Sequence, residues 1–203
     1  RKIRQTDRNM GQSLSNTGKD FDVSSAYIDP VTQTFKWRIT MAAEKPLNVE
    51  VEVKDLPEMH VAYVRHVGPY KGDAQLFESL FGKLMQWAGP RELMRPPETM
   101  TLSIYHDDPN ITEEAKLRVS ACITVPEDTP VDGEIGKMTL RGGKYAVGHF
   151  ELSTDQYSEA WNALFQGWLP QSGYEPDDSP CFELYLNDPS QHTEQKCVVD
   201  ICI

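Results

Sequence analysis

The sequence predicts an α+β domain built twice over. Two strand-strand-helix-strand-strand units, related by a pseudo-two-fold axis, would form one antiparallel sheet with helices and a ligand groove at the seam. Three observations carry this. Short segments alternate apolar and polar residues as half-buried strands do. Each half of the chain also contains one stretch with helical spacing. Finally, one strand occurs twice, as Thr101-Leu102-Ser103-Ile104-Tyr105-His106-Asp107-Asp108-Pro109 and as Cys181-Phe182-Glu183-Leu184-Tyr185-Leu186-Asn187-Asp188-Pro189. Tyr105 falls on Tyr185, Asp108 on Asp188 and Pro109 on Pro189, a constant shift of 80 residues (105 to 185).

The elements follow in order. Residues 1–46 read as a linker or N-terminal extension, basic at Arg1, Lys2, Arg4 and Arg8 and then polar, with one alternating run, 34–40, able to form a strand. Val49, Val51 and Val53 alternate with charges in a first strand of the domain. After a turn at Pro57, residues 59–67 form a second strand that stops at Gly68-Pro69. Phe77, Leu80, Phe81, Leu84 and Ala88 make the stripe of a helix over 73–88, ended by Gly89-Pro90. Strands over 99–105 and 119–125 complete the first repeat, about 47–125, and an acidic linker follows. The second repeat, about 134–203, has strands over 135–140 and 145–151 around a Gly142-Gly143 turn. Ser153 and Gln156 form a capping-box signature before a helical stripe of Tyr157, Ala160, Trp161, Leu164, Phe165 and Trp168. Strands over 181–186 and 197–203 close the chain. Before the loop that follows the helix the shift is 84, placing Phe77 on Trp161 and Phe81 on Phe165; after it, Cys122 falls on Cys202.

Composition narrows the function. A net charge of −11 argues against a broad surface for gripping nucleic-acid phosphates. No apolar run reaches membrane-spanning length. The four cysteines form no Cys-x-x-Cys pair and stand at no zinc spacing from a histidine, so no metal or other cofactor is implied. Read as reduced core residues, they favour the cytoplasm. The five histidines form no visible triad, and Gly142-Gly143 precedes a strand rather than a helix, unlike a phosphate loop.

The main candidate site residue is Glu183, because the repeated strand carries Ser103 in its place. Alternation is expected to turn Phe182, Leu184 and Leu186 toward the helices and Glu183 with Tyr185 to the other face. Tyr105, Tyr63 and Tyr145 lie on matched or neighbouring strands and could offer aromatic walls. Trp161 and Trp168 sit on the helical stripe as core residues, whereas Trp87 lies off its stripe and could rim a groove. From residues alone, Glu183 is either a solvent-facing charge on a one-sided sheet or a ligand carboxylate.

Residues 118–125, Gly142-Gly143-Lys144-Tyr145-Ala146-Val147, Trp168-Leu169-Pro170 with Ser172-Gly173-Tyr174-Glu175, and Pro180 through Pro189 together resemble the GyrI-like effector-binding domain over roughly Leu47 to Ile203. The resemblance implies duplicated strand-helix-strand-strand units with a ligand groove between them, and it maps the family's groove carboxylate onto Glu183. It also implies the C-terminal half of an AraC/XylS-type transcription regulator. Such a protein would sense a hydrophobic, cationic effector, contact DNA only through a preceding helix-turn-helix half, and be compatible with a homodimer. Stand-alone hydrolases of reactive small molecules and gyrase-inhibitor-like protein-binding modules are the alternatives. Ser120 departs from the pattern, standing where its matched residue is Asp200.

Overall fold

The computed structural model describes residues 21–28, 35–41, 47 and 49–203. The chain divides into two units at Pro46/Leu47. In the first, β1 (Phe21–Ile28) pairs antiparallel with β2 (Phe35–Met41), which occupies the alternating run of the N-terminal extension. The basic start and the linker reading of residues 1–20 lie outside the described residues.

The second unit holds one eight-stranded sheet. In chain order its elements are β3 (Glu50–Leu56), β4 (Met59–Val67), helix α1 (Ala74–Ala88), β5 (Thr101–Tyr105), β6 (Arg118–Thr124), β7 (Gly136–Leu140) and β8 (Gly143–Leu152). Helix α2 (Tyr157–Asn162) follows and runs through a π-helical turn, Ala163–Trp168, into α3 (Leu169–Ser172). Strands β9 (Cys181–Tyr185) and β10 (Cys197–Cys202) complete it. The spatial order is β3-β8-β10-β9-β5-β6-β4-β7, antiparallel throughout. Exchanging the repeats reverses this order and reproduces it, so the pseudo-two-fold passes between β9 and β5. The register agrees: Thr101 faces Tyr185, Tyr105 faces Cys181, and Ser103 faces its own counterpart, Glu183.

Two short links impose the curvature. Only Pro57 and Glu58 join β3, at one edge, to β4, the seventh strand; only Arg141 and Gly142 join β7, at the other edge, to β8, the second. Two-residue links cannot span a flat sheet, so the sheet must curl until its edges approach. The two turns meet backbone to backbone, since a Cβ on Gly142 would lie 2.6 Å from the Glu58 nitrogen. Inside the curl, Val61, Leu102, Ile104, Phe182 and Cys202 form one buried cluster with residues from both ends of the sheet, Tyr145 and Leu140. On the outside, α1 packs Leu80, Leu84 and Ala88 over Ala62, Ala121 and Ile123, and Ala160 of α2 with Leu164 of the π-helical turn packs over Phe150, Val199 and Ile201.

This corrects one expectation. Phe182 and Leu184 line the interior of the curl, away from the helices, and Glu183 with Tyr185 faces the helices. Strand alternation separates two faces but does not say which face a helix covers. Here the sheet supplies its own second apolar layer.

Local chemistry explains the helices. The Asp73 side chain caps α1 by accepting from the Leu76 nitrogen at 3.0 Å, and Gly89 ends it. The second helix is not the continuous one its stripe suggests. Pro170 has no N–H to donate inside a helix, and the turn before it widens so that the Leu169 nitrogen reaches back to the Leu164 carbonyl. All four cysteines are free, with Cys122 and Cys202 buried. Among the described residues, no helix is long and apolar enough to cross a membrane.

Candidate functional site

The site is assembled by the axis. In antiparallel pairing, directly opposite residues have Cβ atoms about 4.5–5.5 Å apart. A residue type present in both repeats at position 103/183 would therefore face itself. Two glutamates there would set like charges together inside the sheet, so the topology leaves room for one carboxylate opposite a small partner. Ser103 is that partner, and both residues are buried.

Glu183 is only 2% exposed. Its Oε1 accepts from Trp161 Nε1 at 2.7 Å and its Oε2 from the Tyr185 hydroxyl at 2.8 Å. Because Tyr185 donates to the carboxylate, its oxygen is left to accept from Ser103 Oγ, 2.9 Å away. Aromatic rings enclose this network. Tyr105 meets Trp161 edge-on at 5.3 Å, Phe81 meets Tyr185 at 5.9 Å, Tyr70 lies 5.6 Å from Tyr105, and Phe165 stacks on Trp161 at 5.9 Å. The strands place the acid and the tyrosines, while α2 delivers Trp161 from above.

Among the described residues, every donor to the carboxylate is neutral. None of the salt bridges among the described residues involves Glu183. Burial pushes its carboxyl above the ordinary glutamate value, while the hydrogen bonds from Trp161 and Tyr185, with the Tyr105 hydroxyl nearby, pull it back. Burial and the adjacent carboxylate hold the Tyr105 and Tyr185 hydroxyls well above the usual phenol range, and burial raises Tyr70 to about 12. These tyrosines are therefore protonated donors at neutral pH. The arrangement can stabilise a cation or a hydrogen-bond donor placed against the carboxylate, and it offers aromatic faces to hold one.

Of the residues proposed from sequence, Glu183, Tyr185 and Tyr105 are brought together here. Tyr63 and Tyr145 are not: both pack with the inner cluster, Tyr63 under the Arg65 guanidinium at 4.5 Å and Tyr145 edge-on to Phe182 at 5.3 Å. Trp87 does not rim the site either. It is buried in the α1 cluster, and its Nε1 donates to Asp132 at 2.8 Å. Trp161, Ser103, Tyr70 and Phe81 belong to the site and were missed. For Trp161 a signal existed, since the repeat that carries the glutamate also replaces Phe77 with a ring bearing an N–H. Two surface clefts lie elsewhere. One runs along Lys144, Trp168, Tyr174 and Ile203, and another borders Arg91 and Pro126; Glu183 lines neither.

A duplicated, curled sheet with a helix over each repeat and a carboxylate closed beneath aromatic rings defines a class of small-molecule-binding domain. Residues 49–203 match the family model for the GyrI-like small molecule binding domain, and the chain belongs to that family. It is 38% identical over 138 residues to DNA gyrase inhibitor 2 of Dickeya dadantii (strain 3937), covering 66% of this chain and 83% of that protein. It is 32% identical over 143 residues to the DNA gyrase inhibitor of Escherichia coli (strain K12), covering 69% and 87%. Among solved structures, the C-terminal domain of EcmrR superposes with a TM-score of 0.60 at 18% identity, over 76% of this chain and 96% of that one. EcmrR in its complex with DNA superposes with a TM-score of 0.64 at 18% identity, and the match spans 56% of that longer chain. The structure of SAV2435 bound to tetraphenylphosphonium gives a TM-score of 0.50 at 13% identity, over 75% and 92%.

Proposed function

We propose that this domain binds a hydrophobic, cationic small molecule at Glu183 and serves as the effector-sensing part of an AraC-type transcription regulator. One observation carries the reading: a carboxylate 2% exposed whose hydrogen-bond donors are all neutral. Burying a carboxylate without a counter-charge is costly, and a lipophilic cation with its own aromatic or aliphatic bulk would relieve that cost. Tyr105, Tyr185, Trp161 and Phe81 supply faces for such a guest. To admit it, Trp161 must leave Glu183. The π-helical turn directly after α2 gives that helix a place to yield, and displacement of α2 is the movement a preceding DNA-binding half would sense. The likeness to the EcmrR C-terminal domain supports the regulator context, and the SAV2435 complex shows the chemistry of guest that one protein of this fold holds.

A second reading is favoured by a separate observation. The curated relatives at 38% and 32% identity are named gyrase inhibitors, which makes inhibition of DNA gyrase the alternative role. Titrating tetraphenylphosphonium into the wild type and Glu183→Gln by calorimetry tests the site. Saturable binding is expected, weakened about thirtyfold in the variant, as loss of about 2 kcal/mol from a buried charge pair implies. Equal affinities within about threefold would remove Glu183 from the site. A gyrase supercoiling assay separates the two roles. Inhibition that persists in Glu183→Gln and ignores the cation would favour the inhibitor reading.

A further inference from the structure

On the inner face of the sheet the two repeats differ at a second matched position, and the difference leaves a cation without its acid. In the C-terminal repeat, His149 on β8 lies opposite Asp200 on β10, and His149 Nδ1 meets Asp200 Oδ1 at 2.7 Å. In the N-terminal repeat the same pair of positions, in the same register, holds Arg65 on β4 opposite Ser120 on β6. The third corner also matches. The His106 nitrogen bonds the Arg118 carbonyl as the Leu186 nitrogen bonds that of Val198, so the His106 side chain stands where the other repeat has the exposed Leu186.

The three side chains converge. Arg65 Nε donates to Ser120 Oγ at 3.2 Å, Ser120 Oγ lies 2.9 Å from His106 Nε2, and Arg65 Nη2 approaches that nitrogen at 3.4 Å and the Met138 sulfur at 3.6 Å. The Tyr63 ring supports the guanidinium from one side. Among the described residues, every partner of this exposed arginine is neutral and no salt bridge includes it. Asp107, the acid that acts on His106, is taken by Arg118 in a two-pronged pair at 2.9 and 2.7 Å. Ser120 is fully buried, so its hydroxyl is held in place as a donor or acceptor for whatever sits beside Arg65.

We propose that Arg65, Ser120 and His106 form a site for a small oxyanion, a carboxylate or phosphate group, which takes the place that the Asp200 carboxylate fills in the other repeat. The guanidinium offers two parallel N–H groups to such a group. Burial, Arg65 and Arg118 hold His106 neutral, with its pKa lowered to about 4 against an opposing pull from Asp107. An anion beside it acts in the opposite direction and moves the His106 titration to higher pH. This site lies on the opposite face of the sheet from Glu183 and does not depend on the function proposed there.

The test uses sodium acetate and inorganic phosphate as probes at constant ionic strength set with sodium chloride, read by thermal unfolding and by the NMR titration of His106. In the wild type at least one probe should raise Tm saturably and move the His106 titration to higher pH. Acetate alone would identify a carboxylate site and phosphate alone a phosphate site. Arg65→Gln, an exposed change that leaves the fold intact, should weaken the effect tenfold or more, as expected from losing roughly 1.5–3 kcal/mol of hydrogen bonds to a charge. Ser120→Asp, which installs the other repeat's carboxylate, should abolish it and raise Tm in buffer without either anion. Ser120→Ala covers the case in which the aspartate variant does not fold, and should weaken binding without abolishing it. The proposal is overturned if neither probe shifts the wild type, or if Arg65→Gln responds as the wild type does.

Discussion

The loops that follow β5 and β9 keep the same hydrogen bonds where a residue differs, Asp107 against Asn187, whereas the strands before them share a register across the axis yet carry different sites. Asp107 accepts from the Arg118 nitrogen at 2.8 Å, and its counterpart Asn187 accepts from the Val198 nitrogen at 2.8 Å. Asp108 accepts from the Asn110 nitrogen at 2.8 Å, and Asp188 from the Ser190 nitrogen at 2.9 Å. A side-chain oxygen at each position satisfies a backbone donor, so the duplication preserves the bond while allowing the residue to vary. At the axis the reverse holds. Positions 103 and 183 face each other, and so do not need to match; the geometry penalises a match in charge. Residues that satisfy backbone within a repeat can be copied, but a polar residue on the axis is confronted with its own copy.

Making the repeats identical at the axis gives the largest effect. Ser103→Glu places a second carboxylate against the first with no cation in reach, a buried uncompensated charge that should cost about 3–5 kcal/mol in urea unfolding at pH 7. The loss should shrink at pH 5, where the two groups share a proton. A variant as stable as the wild type at both pH values would mean that the seam is wet and the axis argument fails. Next in size is Trp161→Phe, which gives the C-terminal repeat the ring of Phe77. It removes the N–H at 2.7 Å from Glu183 and should cost about 1–3 kcal/mol at neutral pH, the cost of leaving a buried acceptor without its donor. A change below about 0.5 kcal/mol, the usual range for surface substitutions, would show that the indole does not sit on the carboxylate.

Much of this fold is legible in the chain. The strand over 59–67 and the turn at Gly142 follow from alternation and glycine, and the duplication from Tyr105 and Tyr185. What sequence does not convey is closure. The two-residue links at Pro57 and Arg141 are visible, but they become informative only when β3 and β4 are known to lie six places apart in the sheet. Without that, Phe182 looks like the residue a helix would cover and Glu183 like the one facing outward. Trp161 reads as core because its spacing is that of core. A helix stripe records which side chains point down, not what waits beneath them, and here a carboxylate waits. Trp87 misleads in the opposite way: its off-stripe position suggests a free surface, and the segment carrying Asp132 covers it.

The subtlest difference between the repeats is one of proton affinity, and Glu183→Gln isolates it. Burial holds the Glu183 carboxyl above its unfolded value, so between the two values the folded chain binds more protons than the unfolded one. Stability therefore rises as pH falls from neutral through the folded value and levels off below the unfolded one. Ser103, in the other repeat, contributes no such dependence. Glutamine keeps one oxygen to accept from Trp161, and its NH2 can donate to the Tyr185 hydroxyl, which is then free to donate to Ser103. It has no proton to gain, so the variant should be at least as stable as the wild type at pH 7, with the gap closing on acidification. Urea midpoints measured for both proteins at half-unit steps from pH 7.5 to 4 check this, because every other titrating group is common to the pair and cancels in the difference. If the difference runs the other way, with the wild type losing stability relative to the variant as pH falls, the hydrogen bonds of Trp161 and the tyrosines outweigh burial. Glu183 would then be a structural carboxylate that needs no guest.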